Sequence, residues 1–302
     1  MSGLGLGLGL GLGAHRKVGG AGNKPATFSI PAGFEDTGTK RINFSEPVTV
    51  TITGGVTLSI GGTPYHSGDT IPVASSYHEL TINNPGAAAG TITFGKRKQI
   101  TYLVLYGLGS SVITGDITGM KLTNLSLFNM GSSVITGDIT GMKLTYLFLR
   151  NLGSSSVITG DITGMKLTYL FLDTIGFSAI TGGITGMEMT CLNLNNMGSS
   201  LRYGTSLLNI TNSLGIRLFG DTVFTTAAEY EQLIIDAANG TWGGKYPFKI
   251  EAGTNDNCPD WDTVKADVAT LLTKAAWTII PSAWLTTGGG SWPLNWQEYT
   301  GE

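Results

Sequence analysis

The chain predicts a mainly β protein: a parallel-stranded solenoid, a small antiparallel β domain ahead of it and an α/β cap behind it. Three observations carry that expectation. The first is a repeat. Val112 to Leu122 (VITGDITGMKL) returns at Val134 to Leu144 and at Val157 to Leu167, with a worn copy at Ala179 to Met189. The equivalent isoleucines Ile113, Ile135, Ile158 and Ile180 stand 22, 23 and 22 residues apart, the period of a solenoid whose turns bury their apolar faces against each other. The second is a set of leucines at fixed offsets. Leu122, Leu125 and Leu127 recur as Leu144, Leu147 and Leu149, as Leu167, Leu170 and Leu172, and as Met189, Leu192 and Leu194. The third is composition: only 13% of the 302 residues are charged and 45 are glycine, as suits a β-rich structural protein.

Four segments follow, with bounds at 1–26, 27–98, 99–220 and 221–302. The first opens on a strict Gly-Leu alternation. Leu4, Leu6, Leu8, Leu10 and Leu12 fall on one side of an extended chain, which predicts an anchor that orders on docking into a partner; a low-complexity tail without a role is the alternative. His15 to Asn23 reads as a linker. In the second segment Val48 to Ile52 and Val56 to Ile60 alternate in and out around Thr53-Gly54-Gly55, a hairpin signal. Ile71 to Val73, Leu80 to Ile82 and Thr91 to Phe94 are further strands of a small sandwich that shields the first turn.

In the third segment each L-x-L pair is a short strand, and strands recurring once per turn lie parallel, about 4.8 Å apart. Extending the frame to Leu103 and Leu105 on one side and to Leu214 and Ile216 on the other gives roughly six of them. The fourth segment changes period. Ala227 to Ala238 and Asp260 to Lys274 are helical, and Tyr246 to Ile250 and Trp277 to Ile280 are strands that continue the sheet. Gly288 to Glu302, with Trp292 and Trp296, reads as an extended arm.

The L-x-x-L-x-L frame followed by I-T-G-D-I-T-G-M resembles a leucine-rich repeat, over about 120 residues. The place of that family's asparagine holds Met130, Leu152, Ile175 and Met197, while Asn129, Asn151 and Asn196 come one position early. Tyr230 to Gly240 (YEQLIIDAANG) and Leu271 to Ile279 (LLTKAAWTI) are similar to the C-terminal unit of repeat-bearing bacteriophage structural proteins. The Gly-Leu opening is similar to those of phage virion proteins. These resemblances imply a virion location, and a strand face that serves as the binding surface.

Sequence offsets become columns on a solenoid. One column set is aromatic in the middle turns: Tyr102, Phe128, Tyr146, Phe148, Arg150, Tyr169, Phe171 and Asp173 are the candidate binding residues. A stripe of this kind needs a cover, either a partner or another part of the chain. Asp116, Asp138 and Asp161 form an acidic column, with Lys121, Lys143 and Lys166 five residues on. An Asp–Lys surface ladder is the expectation and calcium the alternative. Threonines (Thr114, Thr136, Thr159, Thr181 and Thr118, Thr140, Thr163, Thr185) read as β and turn chemistry rather than an ice-binding array.

The rest bounds function. A net charge of −3 offers no basic face for nucleic acid. No run of eighteen apolar residues predicts membrane insertion, and no basic-then-apolar leader predicts export. Cys191 and Cys258 form no C-x-x-C, and His15, His66 and His78 have no ligand spacing. No nucleophile elbow, zincin motif or P-loop occurs, so no catalytic residue, metal or cofactor is assigned and no enzyme is expected. The expectation is a phage fibre or adhesin, homo-oligomeric, joined to other virion proteins by its arm and meeting a host surface glycan or protein, or a sister subunit, through the strand face. The rivals are an architectural decoration or connector of the same particle and a bacterial surface leucine-rich-repeat adhesin.

Overall fold

The structure is a computed structural model. It describes residues 24–182 apart from 110, 111 and 177, together with Met187, Cys191–Asn195, Ile216–Phe219, Ile235, Phe248–Ala252, Ala266, Thr270 and Trp277–Pro281. The Gly-Leu arm with its leucines, most of both expected helices and the Trp292–Trp296 segment lie outside the described residues.

Eight strands precede the solenoid: β1 (Ala26–Ile30), β2 (Thr39–Phe44), β3 (Val48–Thr53), β4 (Thr57–Ile60), β5 (Thr63–Tyr65), β6 (Thr70–Ile71), β7 (His78–Asn83) and β8 (Gly90–Phe94). They form a sandwich. One layer has the order β1-β8-β3-β6 and the other β2-β7-β4-β5. Period-two alternation turns Phe28, Val50, Ile92 and Phe94 inward from the first layer and Ile42, Phe44, Leu58 and Ile82 from the second. Phe44 and Phe94 meet across the gap at 5.5 Å between ring centroids.

The hairpin expected at Thr53-Gly54-Gly55 does not form. β3 pairs with β8 and β6, β4 pairs with β5 and β7, and the glycines carry the chain from one layer to the other. Gly54 has φ +69°, and a Cβ there would meet Gly90 Cα at 2.8 Å. Alternation alone cannot separate the two outcomes, because in a sandwich a hairpin and a layer crossing both bury every second residue.

Both layers run on into the solenoid. Its strands are β9 (Ile100–Tyr106), β10 (Thr114–Asp116), β11 (Asn124–Phe128), β12 (Val134–Asp138), β13 (Tyr146–Arg150), β14 (Val157–Asp161), β15 (Tyr169–Asp173), β16 (Ala179–Thr181) and β17 (Cys191–Asn195). β2 pairs antiparallel with β9, and β1 antiparallel with β10. From there every pairing is parallel. The result is a β-solenoid of about four turns, with one apolar core running through sandwich and turns alike.

Each turn contributes two strands where one was expected. The V-I-T-G-D segment is itself a strand, and its sheet faces that of the leucines. Leu147, Leu149, Leu152, Ile135, Ile139 and Leu144, all fully buried, fill one layer between the two. Each such side chain contributes about 1.5–3 kcal/mol by leaving water. Three serines are also buried within this core. Ser156 Oγ accepts from Ile135 N at 3.1 Å and donates to the Ser133 carbonyl at 2.8 Å, while Ser133 and Ser178 accept from Ile113 and Ile158. Their hydroxyls satisfy amides at the corner that the ladders leave open.

At the preceding corner, Asn129 and Asn151 have φ 49° and 47°, the left-handed region that asparagine tolerates. Asn151 Nδ2 donates to Asn129 Oδ1 at 2.9 Å on the outside. The internal place is apolar: Met130, Leu152 and Ile175 are fully buried. This is the physical content of the one-residue departure from the leucine-rich-repeat pattern.

The parallel sheet continues through β18 (Ile216–Phe219), β19 (Phe248–Ala252) and β20 (Trp277–Pro281). Ile216 pairs with Leu192 and Leu218 with Leu194, so the expected frame at Leu214 and Ile216 is two residues early. A slip of two keeps each side chain on its face, which is why the pattern alone allowed it. Ile235, Ala266 and Thr270 have helical backbone, each within one of the expected helices.

Candidate recognition surface

The leucine strands put Leu125, Leu127 and their equivalents into the core, so the intervening residues stand on the outer face. Register there is straight: equivalent residues of successive turns are neighbours. Three rows result, and β2 of the sandwich extends each. The first is Asn43, Tyr102, Asn124, Tyr146 and Tyr169. The second is Arg41, Val104, Ser126, Phe148 and Phe171. The third is Thr39, Tyr106, Phe128, Arg150 and Asp173. All eight candidate binding residues lie in these rows.

Aromatic rings pack along the rows. Tyr146 and Tyr169 stack at 4.3 Å between centroids, Phe148 and Phe171 at 4.5 Å, and Tyr106 and Phe128 at 4.8 Å. These spacings follow the strand separation, since stacking rings on adjacent parallel strands needs no rearrangement. Arg150 lies over the Phe128 ring at 5.2 Å, and its Nε stands 3.0 Å from Asp173 Oδ2, an ion pair without hydrogen-bond alignment. That pair neutralises both charges.

The rows form a shallow, open trough of about 250 Å³. Val104 and Ser126, the two small residues of the middle row, make its floor. Arg41 closes one end and Phe148 the other; Tyr106 and Phe128 form one side wall and Tyr146 stands on the opposite side. Three strand spacings separate Arg41 from Phe148, about 14 Å. Nothing in the repeat announces Arg41 or Thr39, because they come from an antiparallel strand some sixty residues earlier in the chain. The signal that was present is the step in the column from Val104 and Ser126 to Phe148 and Phe171.

Arg41 is held by Tyr77, whose ring centroid lies 4.5 Å from its Cζ. Among the described residues its ion-pair partner is Glu79, at 3.7 Å and 59% exposed, and Arg41 Nε is buried without a hydrogen-bond acceptor. Asn124 Oδ1 is likewise buried without a donor. Burial pushes the Tyr102 phenol above its ordinary range; the Arg41 guanidinium opposes this and Tyr77 adds to it.

The opposite face is polar and differently arranged. Here register shifts by two residues per turn, so Asp116 neighbours Thr136 and Asp138 neighbours Thr159. Each aspartate caps its own turn: Asp116, Asp138 and Asp161 Oδ1 accept from the amides of Thr118, Thr140 and Thr163 at 2.8 Å. The Thr118 and Thr140 hydroxyls in turn accept from the Asp138 and Asp161 amides. The expected Asp–Lys ladder is absent: among the described residues, Lys121, Lys143 and Lys166 make no ion pair, and Asp116 pairs with Arg97 at 3.0 Å. The two-residue shift places successive aspartate Cα atoms about 8 Å apart, a separation at which two unit charges in water repel by about 0.5 kcal/mol. For Asp116, burial acts to raise the carboxyl, but hydrogen bonds from Thr118 and Arg97 prevail and hold it below its ordinary range. Hydrogen bonds from Thr163 do the same for Asp161.

Comparison with known proteins returned no matching family model, curated protein or solved structure.

Proposed function

We propose that this chain is a phage virion structural protein of the fibre or adhesin kind, and that its strand face is the recognition surface. The observation that supports this reading is the trough, a concave, aromatic-walled depression on the outer side of a sheet whose other side is the core. Aromatic walls with a guanidinium and hydroxyls among them suit a receptor that offers both apolar and polar groups, such as a surface glycan, or a sister subunit. The leucine-rich-repeat resemblance points to the same face. The Gly-Leu segment is then the anchor that joins the chain to other virion proteins.

Binding of the purified chain to host cells tests this, with Tyr146, Phe148, Tyr169 and Phe171 all changed to Ala and the fold checked by circular dichroism. Loss of binding with the fold intact is the expected result. If neither protein binds and the mutant instead falls from oligomer to monomer, the face is an assembly surface and the architectural alternative replaces the adhesin. A chain lacking residues 2–13 should bind cells equally well but fail to join its particle, and normal incorporation would remove the anchor.

A further inference from the structure

The trough has an unbalanced charge. Among the described residues, Arg41 is the one ionised side chain in its lining. Arg150, beside the trough in the third row, is already matched by Asp173 at 3.0 Å. Among the described residues Arg41 pairs with the largely exposed Glu79, 3.7 Å from its Nη2 and so longer than a hydrogen bond, while its Nε is buried without an acceptor. The Tyr77 ring, its centroid 4.5 Å from Arg41 Cζ, packs against the guanidinium without neutralising it. A planar, oriented and incompletely paired guanidinium is the group that best receives a carboxylate.

The remainder of the lining selects what carries that carboxylate. An extended peptide binds a sheet through free backbone groups at an edge. This floor offers none, because β9 and β11 are internal strands, paired on both sides. Recognition here runs through side chains alone: the aromatic rings of Tyr106, Phe128 and Phe148, and hydroxyls on Thr39, Ser126 and Tyr146. Rings that present C–H faces and hydroxyl edges together are sugars. From this we infer that the trough is a subsite for an acidic sugar, a uronate or sialate residue of a polysaccharide, with its carboxylate on Arg41 and its apolar face against the aromatic wall. The inference rests on the strand face being the recognition surface and adds the class of ligand.

The full-length chain is titrated calorimetrically with polygalacturonate, alginate, hyaluronate and polysialate fragments. Each is also tested after its carboxyl groups have been reduced to alcohols. The expected result is that at least one acidic fragment binds at least about tenfold more tightly than its reduced form. Arg41→Gln should abolish that preference while leaving the circular dichroism spectrum unchanged. Ser126→Phe, which extends the row of Phe148 and Phe171 across the floor, should abolish binding of both forms. Equal binding of acidic and reduced fragments, unaffected by Arg41→Gln, would overturn the assignment of charge and leave the recognition surface in place. Binding of an acidic peptide such as oligoglutamate, with no fragment bound, would overturn the sugar. Failure of all ligands would also overturn it, and the host-cell assay then decides separately whether the face binds anything.

Discussion

In the sheet of β9, β11, β13 and β15, equivalent residues of successive turns lie side by side; in the sheet of β10, β12, β14 and β16 they are displaced by two. That difference decides which side chains each sheet can carry. Straight register sets like against like, so it suits rings, which gain by stacking on themselves, and penalises charge. Where these four strands hold charge, the repeat is broken to match it: Arg150 is followed by Asp173. Shifted register sets unlike residues together. A repeated aspartate is then tolerated, because its neighbour is a threonine and its carboxylate is spent on its own turn.

The largest expected contrast separates the inside from the outside of the straight sheet. Leu147 is fully buried and Phe148, its neighbour in sequence, is partly buried. Leu147→Ala should cost about 3–5 kcal/mol in denaturant unfolding, whereas Phe148→Ala should cost about 1–2 kcal/mol, from its partial burial and the stack. Comparable losses from both would mean that the aromatic face is structural.

A second contrast separates the sheets. Gly160 has φ +144°, and a Cβ there would meet Ile139 Cγ1 at 2.7 Å. Gly160→Ala should therefore cost about 2–3 kcal/mol, while Ser126→Ala in the straight sheet stays within about 0.5 kcal/mol. Thermal unfolding of the two variants gives the comparison.

Acid should affect the shifted sheet first. Asp116 and Asp161 have folded values below their unfolded ones. Their contribution is therefore complete above the unfolded value near pH 4 and is lost as the pH falls through the folded value. Amide protection in β10 and β14 should fall below about pH 4 ahead of that in β11 and β13. A uniform loss of protection would mean that the aspartate caps do not matter. The smallest effect concerns calcium: a chelator should move the melting temperature by less than about 1 °C, and a large fall restored by calcium would return the aspartates to a cation-binding role.

The straight sheet was legible in the sequence because its signal is periodic in both directions. Leu147 and Leu149 mark the strand, and their recurrence marks the stack. The second sheet was hidden because T-G-D reads as turn chemistry. Glycine is admitted there for a tertiary reason, the approach of Ile117 and Ile139 from the preceding turns, which no local pattern encodes. The serine ladder did recur at the repeat spacing, but its burial depends on which side of the corner it takes. Half of the site was visible as an aromatic column. The other half, Arg41 and Thr39, arrives through an antiparallel pairing between distant segments, and single-strand alternation carries no information about partners.

The continuity of both sheets across the sandwich bears on how the chain is made. Synthesis delivers β1 to β8 first, and their pairing presents β1 and β2 as two ready edges before any turn exists. The first turn can then be laid on a finished surface, and each later one on its predecessor, with only about 22 residues to close each time. The sandwich thus serves as a template for growth in one direction, and it sets the register that the whole aromatic face inherits.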